Sequence, residues 1–145
     1  MQVLQILNSK GADAVVSVKP GTLVSDAAKI LADKRIGTVI VSPDGETALG
    51  ILSERDIVKT LATQGASCLS AAVDDLMTSD LVTCTRGDQA ETVLQRMTEG
   101  RFRHMPVVED GKMVGLITLG DVVKARLSEL AMEKDALEGM ISNQW

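Results

Sequence analysis

Gly50-Ile51-Leu52-Ser53-Glu54-Arg55-Asp56 returns further along the chain as Gly115-Leu116-Ile117-Thr118-Leu119-Gly120-Asp121. Both stretches read glycine, two apolar residues, a hydroxyl residue, two variable residues and aspartate. The likeness extends upstream. Residues 16–59 align with 82–124 once one residue near Glu46 is treated as an insertion, and the identical pairs include Gly21/Gly87, Arg35/Arg101, Asp44/Asp110, Gly45/Gly111, Asp56/Asp121 and Lys59/Lys124. A repeat of this length implies two similar half-domains and two related sites within one chain.

Each repeat reads β-α-β-β-α. In the first, 14–18 is a short strand, Pro20-Gly21 a turn, and Thr22 or Ser25 caps a helix running to about Lys34. The β-branched run Thr38-Val39-Ile40-Val41 is a strand, Pro43-Asp44-Gly45 a hairpin turn and 48–52 its partner strand. A helix follows from Glu54 to Gln64 and stops at Gly65. In the second, 81–84, 105–108 and 113–117 are strands. Asp88 and Glu91 form a capping box before a helix to about Glu99, and Thr118 caps the last helix.

Residues 1–13 form an N-terminal helix that Gly11 ends, 14–65 the first repeat, 66–80 a linker with a helical turn near Val73, 81–127 the second repeat, and 128–145 a helical extension. The fold class is α+β: two β-α-β-β-α repeats packed with pseudo-twofold symmetry around a central cleft, plus a long C-terminal helix. Along that helix Val123, Leu127, Leu130, Lys134, Leu137 and Ile141 recur at spacings of four and three, as in a coiled-coil seam. The seam fits packing on its own domain and a dimer contact equally well.

The chain has 145 residues, 45% of them hydrophobic, with one phenylalanine, one tryptophan and no tyrosine. Its core is therefore aliphatic. A net charge of −5 argues against a nucleic-acid surface, which needs clustered Lys/Arg. No apolar run approaches the length of a membrane span, and Met1-Gln2 is not the basic start of a signal peptide. Cys68 and Cys84 lack metal or redox spacing, so a cytoplasmic protein with reduced thiols is expected.

Two constellations carry chemistry. Ser53 and Asp56, like Thr118 and Asp121, stand at a helix start, where unpaired amides and the helix dipole favour an anion. A carboxylate has two acceptor oxygens and can take two neighbouring sugar hydroxyls, so hydroxyl and carboxylate together suit a ribose-phosphate. The same residues also cap a helix without any ligand. Arg101-Phe102-Arg103-His104-Met105-Pro106 is the second constellation. Its cations, joined by Arg55, suit phosphate. The basic residues are split between the repeats: Gly37-Thr38 stands opposite Arg103-His104, and Gly120 opposite Arg55. If the halves face each other, the cations converge. Pro106 removes an amide donor and implies an edge strand or irregular pairing.

These repeats resemble a tandem pair of CBS domains, the Bateman module, as found in small stand-alone bacterial CBS-pair proteins. The resemblance covers residues 14–127 and rests on the repeated Gly-apolar-apolar-Ser/Thr-x-x-Asp motif and on Arg103-His104-Met105-Pro106-Val107. It implies a non-catalytic regulatory or energy-sensing module whose ligand is an adenine nucleotide: AMP first, with ADP, ATP, NAD(H) or S-adenosylmethionine as alternatives. It assigns ribose to Asp121 and Asp56. Phosphate falls to Arg103, His104, Arg55, Thr118 and Ser53. Adenine falls to Val82, Thr83, Met105, Pro106, Val16, Ser17 and Val39. The basic pair ranks the Asp121 site above the Asp56 site. The family commonly pairs two modules in a homodimer and acts on a regulated partner, unidentified here.

Nothing in the sequence supports catalysis: no nucleophile–base pattern, phosphate loop or metal-ligand spacing stands out. The alternative to a nucleotide sensor is a ligand-free interaction or dimerisation module working through its terminal helices.

Overall fold

The computed structural model describes residues 1–10 and 15–142. In the first repeat a short strand β1 (Ser17–Val18) precedes α2 (Val24–Lys34), β2 (Thr38–Val41), β3 (Gly50–Ser53) and α3 (Glu54–Gln64). The N-terminal helix α1 (Val3–Ser9) comes before them, and a 3-10 turn (Ala66–Ser70) and α4 (Val73–Leu76) come after. The second repeat contributes α5 (Ala90–Gly100), β4 (His104–Glu109), β5 (Lys112–Thr118) and α6 (Leu119–Ser142). The helix stop expected at Gly11 and the strand start at Ala14 lie outside the described residues.

β2 is the middle strand of the first sheet, parallel to β1 and antiparallel to β3. All four of its residues are buried, so its two faces pack on different things. Val39 and Val41 join the first repeat's core with Ala27, Leu31 and Leu52. Ile40 points the other way, as strand alternation requires, and joins Ile51 and Met113 in a cluster spanning both repeats. Met113 reaches that cluster because the β4–β5 register shifts at Val107/Val108. An extra residue reverses the inward-facing set of a strand, so Ile117 stays in the second repeat's own core while Met113 faces the first repeat.

The second repeat departs from the expected pattern in its first strand. Residues 81–84 form only a single parallel bridge, Cys84 to Val107. The cause is Pro106. In the first repeat the Ile40 N–H donates to the Val16 carbonyl at 3.0 Å, and the Ser42 N–H to the Val18 carbonyl at 2.9 Å. Pro106 occupies the position of Ile40 and has no N–H to give, so the first rung cannot form. The second survives as Val108 N–H to the Cys84 carbonyl, 2.8 Å.

Two expected caps are also corrected. The N-cap of α2 is Leu23, with no side-chain cap, and the Thr22 hydroxyl donates backward to the Lys19 carbonyl at 2.7 Å. The N-cap of α5 is Gln89, and the Asp88 carboxylate accepts from the Thr85 N–H at 2.9 Å instead of forming a box with Glu91. The identical pair Arg35/Arg101 has a shared cause: each closes the first helix of its repeat in the left-handed region, at φ 53° and 57°. Cys68 and Cys84 are free and buried. Burial, with the nearby Asp88 charge, pushes the Cys84 thiol up to about 11, leaving it protonated at neutral pH.

Candidate functional site

The motif glycine, hydroxyl and aspartate have separate physical jobs. A side chain at Gly50 would stand 2.8 Å from Met77 Cγ and 3.0 Å from the Thr78 carbonyl, so glycine lets residues 77–78 cross β3 closely. At Gly115 the close neighbour is Leu7 of α1, whose Cδ2 would lie 2.7 Å from an added Cβ. The linker thus covers β3, while α1 covers β5. Ser53 is the N-cap of α3. Its hydroxyl oxygen accepts from the Asp56 N–H at 3.2 Å, and Asp56 Oδ2 accepts from the Ser53 N–H and hydroxyl at 3.0 Å each. The capping role is therefore real in this fold. Both bonds fall on Oδ2, and among the described residues Oδ1 keeps its acceptor capacity.

The start of α3 offers less free backbone than a bare helix end. The Glu54 N–H already donates to the Gly37 carbonyl at 2.9 Å, and Asp56 N–H is held by Ser53. The donors left there are the Arg55 amide and its guanidinium.

A cleft of about 520 Å³ opens on this helix start, within the size range of small-molecule sites. The first repeat lines it with Thr38, Ile51, Ser53, Arg55 and Asp56; Thr78 and Val82 close one side, and Phe102, Arg103 and His104 enter from the second repeat. The split basic residues thus converge: Arg55, Arg103 and His104 share one cavity with a motif hydroxyl and carboxylate. His104 is half-buried. Desolvation first, and the adjacent Arg103 charge second, hold its pKa below the ordinary 6.5. An anion in the cleft opposes both effects.

This shift carries a stability prediction. The unfolded state takes up the imidazole proton before the folded one does, so stability falls as pH drops through 6.5 toward the folded value. Urea unfolding at a series of pH values checks it. Wild type loses stability across that window and His104→Gln does not.

The second motif copies the first locally but sits differently. The Asp121 N–H donates to Thr118 Oγ1 at 3.1 Å, and Asp121 Oδ2 accepts from the Thr118 N–H at 2.9 Å. Lys10 Nζ then reaches the same Oδ2 at 2.8 Å. Burial raises the Asp121 pKa, but the Lys10 and Thr118 hydrogen bonds outweigh it, and the carboxyl lies below its usual value.

Of the expected adenine contacts, Val82 lines the cleft. Val39 and Met105 are fully buried in the two separate cores. Pro106 is buried in β4, Val16 packs on the edge of the first core, and Ser17 and Thr83 are exposed. Thr38, Ile51, Thr78 and Phe102 also line the cleft, though none of them was assigned a ligand contact from the sequence. Thr38 was the most legible, since it is the repeat partner of His104. No group of three or more His, Cys, Asp or Glu among the described residues could hold a metal. No described helix is long and apolar enough to cross a membrane.

The chain is similar to known proteins over most of its length. The CBSX3 protein of Arabidopsis thaliana, named as mitochondrial and CBS domain-containing, is 35% identical over 96% of this chain and 71% of its own. Other Arabidopsis relatives are longer, and the chain spans 22–23% of their length. The crystal structure of the CBS-domain protein ATU1752 from Agrobacterium tumefaciens superposes with a TM-score of 0.82 at 43% identity, covering 87% of this chain and 99% of that one. The structure of CBSX2 in complex with AMP superposes at 0.71 with 29% identity, covering 88% and 96%. The CBS domain model matches twice, at residues 12–63 and 73–128, so the chain belongs to the CBS-domain family as a tandem pair.

Proposed function

We propose that the cleft at the start of α3 binds an adenine nucleotide, with AMP first in order, and that the protein is a non-catalytic sensor acting on a partner. The observation that carries this reading is the meeting of Asp56 and Ser53 with Arg55, Arg103 and His104 in one cavity between the repeats. The carboxylate takes ribose hydroxyls and the cations take phosphate. Ile51 and Val82, with Phe102 nearby, offer apolar faces to a base. The AMP complex of CBSX2, which shares 29% of its residues with this chain, supports the ligand class. Because the ligand touches both repeats, its binding energy can bias their relative arrangement.

Thermal melting against AMP, ADP, ATP, NAD, NADH and S-adenosylmethionine tests the proposal. A ligand at a hundred times its Kd adds about 2.7 kcal/mol to native stability. AMP is expected to raise the midpoint most. No shift from any member of the panel overturns the nucleotide reading.

One observation favours an interaction module as a second reading. Leu127, Leu137 and Ile141 on α6 are 60–62% exposed, and Leu130, Met132 and Met140 accompany them. We infer that a second copy of the chain covers this seam. Leu130→Glu/Leu137→Glu is expected to convert a dimer to a monomer in sedimentation without changing the AMP response. A wild type that sediments as a monomer contradicts the dimer.

A further inference from the structure

Lys10 lies outside both repeats, yet its ammonium ends on the second motif aspartate. Nζ is 2.8 Å from Asp121 Oδ2 and 2.9 Å from the Leu116 carbonyl. Both side chains are largely shielded, at 28% and 23% exposure. The lysine is delivered by a helix fixed at several points. Val3 and Ile6 are buried in the second repeat's core, and the N–H groups of Val3 and Leu4 donate to the carbonyls of Asp88 and Arg86 at 2.9 and 3.0 Å. Leu7 lies against Gly115, and the N-terminal ammonium pairs with Glu129 at 3.1 Å.

The equivalent aspartate in the first repeat differs. The Asp56 carboxylate bonds to Ser53 alone and forms no ion pair among the described residues. Two copies of one motif therefore stand in opposite states: one carboxylate borders an open cleft, the other holds a cation of its own chain. Ribose hydroxyls can hydrogen-bond a carboxylate but bring no charge, so displacing the lysine would leave a shielded ammonium without its counter-ion.

We propose that Lys10 is a specificity-determining plug: its ammonium neutralises the Asp121 carboxylate at Oδ2 and crowds the ribose position of the second motif, so the chain takes one adenine nucleotide, at Asp56, rather than two. This rests on the ribose reading of the motif aspartates. It also gives α1 a function beyond packing, since it decides which of two similar sites is usable.

Calorimetric titration with AMP tests the plug on five chains, wild type and four variants. Wild type is expected to bind one nucleotide. Lys10→Met is expected to bind two, because the aliphatic stem is kept and the cation is gone. Lys10→Gln provides a second neutral variant, and unliganded melting checks that α1 remains docked in both. Asp56→Ala is expected to leave no tight site, and Asp56→Ala/Lys10→Met to regain one. Two nucleotides on wild type overturn the plug. So does a single nucleotide on wild type together with one on both neutral variants. No nucleotide on any chain overturns the ribose reading itself, and the plug with it.

Discussion

Asp56→Ala weakens AMP binding by about 10- to 100-fold in calorimetric titration, while the empty protein still folds. The size follows from the chemistry. A hydrogen bond to a charged partner contributes roughly 1.5–3 kcal/mol, and about 1.4 kcal/mol is tenfold in affinity. Asp56 also accepts the Ser53 N–H at 3.0 Å, so alanine removes a bond that helps begin α3. Losses of this kind cost about 1 kcal/mol of stability. Asp56→Asn separates the two roles, because a carboxamide oxygen still accepts that N–H but carries no charge. It is expected to melt near wild type and still bind AMP more weakly. If Asp56→Asn melts like wild type and binds AMP with unchanged affinity, the carboxylate is only a cap.

Ile40→Ala is expected to have the largest effect on stability, about 2–5 kcal/mol, as for other fully buried aliphatic truncations. Ile40 has no solvent exposure and sits in the cluster joining the repeats. Its strand partner is Ile51, which also lines the cleft. Removing Ile40 therefore leaves a cavity where the halves meet and loosens one wall of the site. Leu52→Ala is the matched control. Leu52 is equally buried but belongs to the first repeat's own core. Both variants lose stability in urea unfolding, and Ile40→Ala is expected to lose more AMP affinity than Leu52→Ala does. Equal loss of affinity contradicts a cleft shaped by the inter-repeat cluster.

Much of the architecture was legible because two signals agreed. The β-branched run at 38–41 marked one strand, and the repeat marked its counterpart at 105–108. Ser53 was read as the start of α3 and is its N-cap. The misreadings were local. Thr22, Ser25 and Asp88 are all good capping residues, but the backbone enters α2 and α5 through Leu23 and Gln89. The missing rung at 81–84 was half visible: Pro106 was known to lack a donor, but which neighbour would lose it depended on the topology.

The site divides in the same way. The motif repetition pointed to Asp56 and Asp121, and the uneven cations pointed to convergence between halves. Lys10 gave no such signal. Its meeting with Asp121 joins residues far apart in sequence, through a helix whose docking no local pattern specifies. The linker residue Thr78 was equally silent, because it reaches the cleft by pairing with Ile51 at 2.8 and 2.9 Å.

The most direct test uses the one histidine in the chain. His104 lines the proposed phosphate side of the cleft, and as the one histidine its imidazole protons can be followed in proton NMR without overlap from another histidine. Its pKa, measured with and without AMP, is expected to rise on binding, because a phosphate favours the protonated ring against the desolvation and the Arg103 charge that lower it. Adenosine, which lacks the phosphate, should move the pKa less. An AMP-induced rise in melting temperature with an unmoved His104 pKa would place the nucleotide elsewhere and contradict the account.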